Sequence, residues 1–108
     1  MKNGQYLTIN RIEGDPETLL SGYRESAGTM TEVGRDHGLI IHAAAPTDSG
    51  LLIVNVWPSR DESEAAARDP RRLGEMRANR LSPGQMNAEH HWLESFTWFD
   101  RKQPAGSL

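Results

Sequence analysis

Residues 38–60, GLIIHAAAPTDSGLLIVNVWPSR, decide the fold of this chain. Two apolar runs, Leu39–Ala44 and Leu51–Trp57, are rich in the β-branched and aliphatic side chains that favour strands. The six residues between them, Ala45–Gly50, are nearly all turn formers. The pattern predicts an antiparallel hairpin with a longer loop, and Pro58–Arg60 then lead directly into a helix.

Three polar groups interrupt these apolar runs: His42, Asn55 and the indole N–H of Trp57. Because the runs are otherwise apolar at nearly every position, both faces of the hairpin are predicted to be covered. Alternate residues of a strand share a face, so Asn55 and Trp57 are expected to point the same way.

The chain before the hairpin predicts one strand and one helix. Tyr6–Ile12 alternates in polarity, which predicts a strand. The face of this strand that carries Thr8 and Asn10 is expected either to line a cavity or to face water. Asp15 followed by a proline marks a helix start, and Gly38 marks the end of that helix. A helical face predicted to lie on the sheet comprises Leu20, Tyr23, Ala27, Met30 and Gly34.

The chain after the hairpin predicts a broken helix and a last strand. Ser59 and Glu62 have the spacing of a capping box, and Asp69-Pro70 breaks or kinks the helix that follows. A further helical piece is predicted from Pro70 to about Leu81, and residues 90–99 are predicted to form the last strand. This helical piece carries Leu73 and Met76 on one side and four arginines elsewhere, namely Arg71, Arg72, Arg77 and Arg80. We interpret the arginines as a solvated helix face rather than as a site for an anionic ligand.

The predicted order is β, α, β, β, α, β. Strands mixed with two long helices favour an α+β fold, with one antiparallel sheet and both helices on one of its faces. We expect a single domain over residues 1–108, with a core from about residue 5 to 99 and a flexible tail over 100–108. The other sheet face is apolar as well, so a second copy is expected to cover it in a homodimer.

Composition excludes several classes of protein. The chain has 108 residues, a formal net charge of −3 and 25% charged residues, which argues against a nucleic-acid binder. It has no cysteine, which excludes a disulfide framework and a thiolate site. No leader and no run of about 20 apolar residues is present, so a cytoplasmic protein without a membrane partner is expected.

The element order and the central stretch resemble a known superfamily. The residues that carry the resemblance are Gly38–His42, Pro46–Gly50 and Asn55–Arg60. They resemble the dimeric α/β-barrel superfamily of ferredoxin-like proteins, and within it the small bacterial proteins related to antibiotic biosynthesis monooxygenases. The resemblance implies a ferredoxin-like βαββαβ fold, a homodimer, and a ligand cavity between the sheet and the helices.

The resemblance also implies a range of activities. Members of the superfamily oxygenate polycyclic aromatics without a cofactor, cyclise polyketides, isomerise lactones or degrade haem. Haem-handling relatives carry an iron-binding histidine on the helix after the third strand, and residues 60–81 contain no histidine. Haem is therefore disfavoured, and no cofactor is expected.

Four residues are the candidates for a site in that cavity. His42 is the candidate catalytic base for a phenolic or enolic proton, because histidine is the side chain most often used for this purpose. By the resemblance, Asn55 would hold a substrate oxygen and Trp57 would form a cavity wall, while Tyr23 could reach the same space. The alternative is a structural role for each: a satisfied histidine, a satisfied buried amide and an aromatic that fills volume.

His90 and His91 suggest a metal site at first sight. Adjacent residues of a regular strand point to opposite faces, so the pair cannot chelate one ion, and no metal site is expected.

Two functions stay open at this level. One is a cofactor-independent oxidoreductase or cyclase, monooxygenase-like, acting on a small aromatic or polyketide-type molecule. The other is a non-catalytic dimer that binds a small apolar ligand or has a structural role. A pocket with His42 inside favours the enzyme, whereas a pocket filled by Tyr23, Met30 and Trp57 favours the second reading.

Overall fold

The computed structural model describes residues 4–95. It contains four strands, β1 (Tyr6–Glu13), β2 (Ile41–Thr47), β3 (Gly50–Trp57) and β4 (Met86–Trp92). Helix α1 (Pro16–Asp36) follows β1, and helices α2 (Arg60–Ala67) and α3 (Pro70–Ala78) follow β3. The predicted order is confirmed, with the second helical segment divided into two pieces.

The strands form one antiparallel sheet in the order β2-β3-β1-β4. Thr8 lies opposite Asn55 on one side and His90 on the other, and Asn55 lies opposite His42. These four polar residues therefore form a row across all four strands. The ferredoxin-like α+β fold expected from the sequence is confirmed.

The hairpin differs from its prediction in the length of its connection. The predicted loop over residues 45–50 is wrong, because β2 continues to Thr47 and only Asp48 and Ser49 form the turn. Pro46 is tolerated inside the strand because β2 is an edge of the sheet. Gly50 is required by close packing, since a Cβ there would collide with the carbonyl of Ile12 on β1.

The helix ends follow the sequence closely. The Asp15 carboxylate accepts a hydrogen bond from the Thr18 N–H at 2.9 Å, and α1 ends at Asp36, just before Gly38, which has a φ of 76°. The Ser59 hydroxyl caps α2 by accepting from the Glu62 N–H at 3.2 Å. Helix α3 ends at Ala78, three residues before the predicted end at Leu81.

The last strand was placed too late in the chain. β4 begins at Met86 and ends at Trp92, whereas the prediction began it at His90. Pairing with β1 carries the polar segment Met86–Glu89 into the sheet, which its composition does not indicate. The predicted strand residues Phe96–Phe99 and the predicted tail lie outside the described residues.

The core lies at one end of the layer between sheet and helices. Tyr6, Val33, Trp57 and Ala66 are each at most 8% exposed and pack together. Helix α3 packs mainly against α1 and α2, so space remains between α3 and the sheet. Within residues 4–95, no helix is long and apolar enough to cross a bilayer.

The opposite face of the sheet is apolar along the middle of β1 and β3, and the exposed pair Arg11–Glu89 lies beside this apolar area. Leu7, Ile9, Leu52 and Val54 point to this face and are only half-buried. In the described part of the chain all three helices pack on the other face. The name outer face is used below for the surface formed by these four residues.

Candidate functional site

A cavity of about 710 Å³ lies between the sheet and the helices. Its volume falls within the range of about 300–1,000 Å³ that is usual for small-molecule sites. Thr8, Asn10 and Ile53 face it from the sheet, and Tyr23 and Met30 face it from α1. The cavity that the resemblance implied is therefore present, and the Thr8 and Asn10 face of β1 lines it.

Three of the four candidate residues form a chain of hydrogen bonds in the cavity wall. The Tyr23 hydroxyl lies 2.6 Å from His42 Nε2, and His42 Nδ1 lies 2.6 Å from Asn55 Oδ1. The two rings of Tyr23 and His42 are nearly parallel, with an angle of 12° between their planes. The chain joins α1 to both strands of the β2–β3 hairpin.

The hydrogen-bond types fix the direction of this chain. Asn55 Oδ1 can only accept, so His42 Nδ1 carries the proton and donates it. The other nitrogen of a neutral imidazole then has a lone pair, and the Tyr23 hydroxyl donates to it. Both ring nitrogens of His42 are thus occupied, and the Tyr23 oxygen is the atom whose lone pairs remain open to a ligand.

Asn55 has a second group to offer. Its Oδ1 is used by His42, while its Nδ2 donates to no acceptor among residues 4–95. An amide N–H₂ group in a cavity wall stabilises an oxygen that carries negative charge.

Trp57 lies at the core end of the cavity. It is 6% exposed, and its indole N–H donates to Thr8 Oγ1 at 3.3 Å. The N–H is therefore occupied inside the protein, and only the ring surface of Trp57 faces the cavity. This geometry fits a wall better than a proton donor.

The two adjacent histidines point in opposite directions, as strand geometry predicted. His90 lines the cavity and stacks on Tyr6, whereas His91 lies on the other side of β4, 3.4 Å from Glu89 Oε1. Among residues 4–95, no three His, Asp or Glu side chains are grouped so as to hold a metal ion.

The helical wall of the cavity holds polar residues that the sequence analysis missed. The Ser26 hydroxyl donates to Glu75 Oε1 at 2.8 Å and accepts from Asn79 Nδ2 at 2.9 Å. Arg72 also lines the cavity from α3 and is half-buried. The spacing was a usable signal, because residues 72, 75, 76 and 79 fall on one face of a helix.

The interpretation of the four arginines of residues 70–81 as a solvated face is wrong for Arg72. The prediction placed Leu73 and Met76 on one side of this helix and the arginines elsewhere, yet Leu73 is 39% exposed, while Arg72 and Met76 both line the cavity. Helix α3, which Asp69 caps, therefore turns the side with Arg72 and Met76 towards the cavity and leaves Leu73 exposed. Arg71, Arg77 and Arg80 are exposed, as expected.

Solved structures with the same fold include proteins of named activity. The chain matches no protein-family model and no curated protein sequence. It is similar to SnoaB, a cofactor-independent oxygenase from Streptomyces nogalater, with 17% identity, a TM-score of 0.57, and coverage of 90% of this chain and 96% of that one.

Two further structures are described as candidate antibiotic biosynthesis monooxygenases. One, from Chloroflexus aurantiacus, has 16% identity, a TM-score of 0.62, and coverage of 88% of this chain and 98% of that one. The other, from Nitrosomonas europaea, has 8% identity, a TM-score of 0.69, and coverage of 87% and 94%. The chain therefore has the ferredoxin-like fold of the antibiotic biosynthesis monooxygenase-like proteins, a likeness that extends over most of its length.

Proposed function

We propose that this protein is a cofactor-independent monooxygenase or cyclase whose substrate is a flat aromatic or polyketide-type molecule with an acidic hydroxyl group. The observation that carries the proposal is the chain Tyr23–His42–Asn55 in the wall of a cavity large enough for such a molecule. The fold shared with an oxygenase that works without a cofactor supports it.

The first step is the removal of a proton from the substrate. A phenolic or enolic hydroxyl donates to the Tyr23 oxygen, and the Tyr23 proton passes to His42 Nε2. His42 becomes an imidazolium, whose Nδ1–H remains bonded to Asn55 Oδ1. Tyr23 is therefore the contact residue and His42 is the base behind it.

The deprotonated substrate then reacts without a redox cofactor. In the oxygenase case its ring CH₂ group and O₂ become C=O and water, so that the substrate supplies all four electrons and one oxygen atom is retained. In the cyclase case a carbon of the deprotonated substrate, which carries part of the negative charge, attacks a carbonyl of the same molecule, and no oxidant is consumed. Asn55 Nδ2 donates a hydrogen bond to the oxyanion in both cases.

One observation favours the second function, a ligand-binding protein without catalysis. Every polar atom of the His42 ring is already satisfied within the protein, which is how a structural histidine looks. Met30 and Trp57 also supply apolar walls that would suit a passive ligand.

Turnover of a dihydroxylated anthrone tests the proposal, and it is measured as the consumption of dioxygen and the formation of the quinone. We expect His42→Gln to lower the rate by about a hundredfold or more, the size usual for a lost general base. Tyr23→Phe is expected to lower it too, because the proton then has no path to His42.

His91→Gln is the matched control, since His91 lies on the other side of the sheet and should leave the rate unchanged. Equal rates for wild type and His42→Gln would contradict the catalytic role. Binding of the anthrone without any turnover would favour the passive ligand-binding function.

We also infer that the protein is a homodimer in which the outer faces of two sheets meet. The apolar side chains of the outer face are only half-buried within one chain; they are Leu7, Ile9, Leu52 and Val54. A second copy presents the same surface, as a two-fold interface requires.

A further inference from the structure

Arg72 is a partly buried cation without an acidic partner in the described part of the chain. Its Nη1 donates to the carbonyl of Ala67 at 3.0 Å, and burial lowers the pKa of its guanidinium. Arg11, Arg60 and Arg71 are paired with Glu89, Glu64 and Asp69, and the other arginines of residues 4–95 without an ion pair are exposed, whereas Arg72 is half-buried. Arg72 thus keeps its charge in the cavity wall without compensation.

The neighbouring acid does not neutralise it. Glu75 lies one helical turn further along α3, but its carboxylate accepts from the Ser26 hydroxyl, and burial rather than Glu75 shifts the pKa of Arg72. The charged side chains that line the cavity are Arg35, Arg72 and Glu75. The cavity therefore carries a net positive charge in a chain whose formal net charge is −3.

Capping of α2 uses only part of the hydrogen-bonding capacity of the Arg72 side chain. Ala67 is the last residue of α2, so the bond to its carbonyl satisfies one helix end. A guanidinium has five N–H donors in a planar fork, and this bond uses one of them. An unpaired charge out of water is costly unless something else repays it.

We propose that Arg72 is the anion-binding site of the cavity, and that the natural ligand carries a carboxylate in addition to its aromatic body. A carboxylate matches the guanidinium fork in shape and charge. This proposal takes only the aromatic body of the ligand from the proposed function. The anion site itself does not depend on catalysis by His42.

Calorimetric titration with naphthoate and naphthamide tests this site, since the two molecules share size and shape and differ in charge. The wild type is expected to bind naphthoate about tenfold tighter than naphthamide, the effect of one charge-assisted hydrogen bond. Arg72→Gln should remove this preference and leave the affinity for naphthamide unchanged.

Arg77→Gln is the matched control, because Arg77 is exposed on the same helix and does not line the cavity. It should keep the full preference for naphthoate. The comparison in the wild type needs no substitution, so it stays decisive even if Arg72→Gln does not fold.

Equal affinities for the two ligands in the wild type, no binding of either, or a preference that survives Arg72→Gln would each overturn the proposal. A preference that depends on Arg72 together with turnover that ignores His42 would sink the catalytic function and leave the anion site standing. Turnover that depends on His42, together with no preference for naphthoate, would overturn the anion site and leave the catalytic function standing.

Discussion

At the scale of single residues, Asp69 joins two helices to a third. Its carboxylate accepts from the Arg71 backbone N–H at 2.9 Å, from the Arg71 guanidinium at 2.7 Å and from His37 Nε2 at 3.1 Å. His37 also faces Glu62, and Arg71 also bonds Asp36. These bonds hold the end of α1 against the starts of α2 and α3, and thereby fix the helical roof of the cavity.

This cluster predicts a loss of stability in acid. The hydrogen bonds from Arg71, and then from His37, hold the pKa of Asp69 well below its usual value of 3.8. The folded state therefore binds the proton later than the unfolded state, and the stabilisation present above about pH 4 is lost as the pH falls through the folded pKa. We expect Asp69→Asn, which still caps α3, to reduce the stability difference between about pH 7 and about pH 3 in urea unfolding.

Asp48→Asn is the control, since it removes an exposed carboxylate from the hairpin turn. An Asp69→Asn protein with the full pH dependence of the wild type would show that the cluster does not contribute to it.

Single residues also mark where sequence reasoning stopped. His42, Asn55, Trp57 and Tyr23 all line the cavity, because strand alternation and helical spacing place such side chains reliably. Arg72 was missed because arginines on a helix that is rich in charge usually form a solvated face, and no local pattern separates Arg72 from the other three. The bonds of Tyr23 and Asn55 to His42 depend on the register of two strands and the position of a helix, which no local pattern contains.

At the scale of elements, local signals placed the helix starts well and the strand ends poorly. Asp15, Ser59 and Asp69 each cap the helix that follows, because one side chain and one or two N–H groups decide a cap. The strand ends at Thr47 and Met86 depend on their partners Gly50 and Ile12 in the sheet. Composition at Pro46 and at residues 87–89 points away from a strand, and pairing overrides it.

At the scale of the whole molecule, the sheet separates two surfaces of different composition. One carries the cavity and the polar row from His42 to His90, and the other carries the apolar outer face. The sequence predicted both surfaces from strands that are apolar on two sides. The family resemblance implied a cavity between the sheet and the helices, but its size was not predicted, because it depends on how the broken helix packs.

The outer face predicts the state of assembly. We expect sedimentation at micromolar concentration to give twice the 12.1 kDa mass of one chain. Val54→Asp should yield the monomer, because it places a charge in the centre of an apolar interface. Ser21→Asp, an exposed site on α1, should leave the dimer intact, and a wild type that sediments as a monomer would contradict the interface.

The most direct test of the central claim uses two neighbours on β3 that point to opposite sides of the sheet. Ile53 faces the cavity and Val54 faces away from it. When naphthol is titrated into the isotope-labelled protein, we expect the NMR signals of the Ile53 methyl groups and the Asn55 side-chain amide to shift while those of the Val54 methyls stay in place. Shifts at Val54 with none at Ile53 would contradict a ligand site between the sheet and the helices.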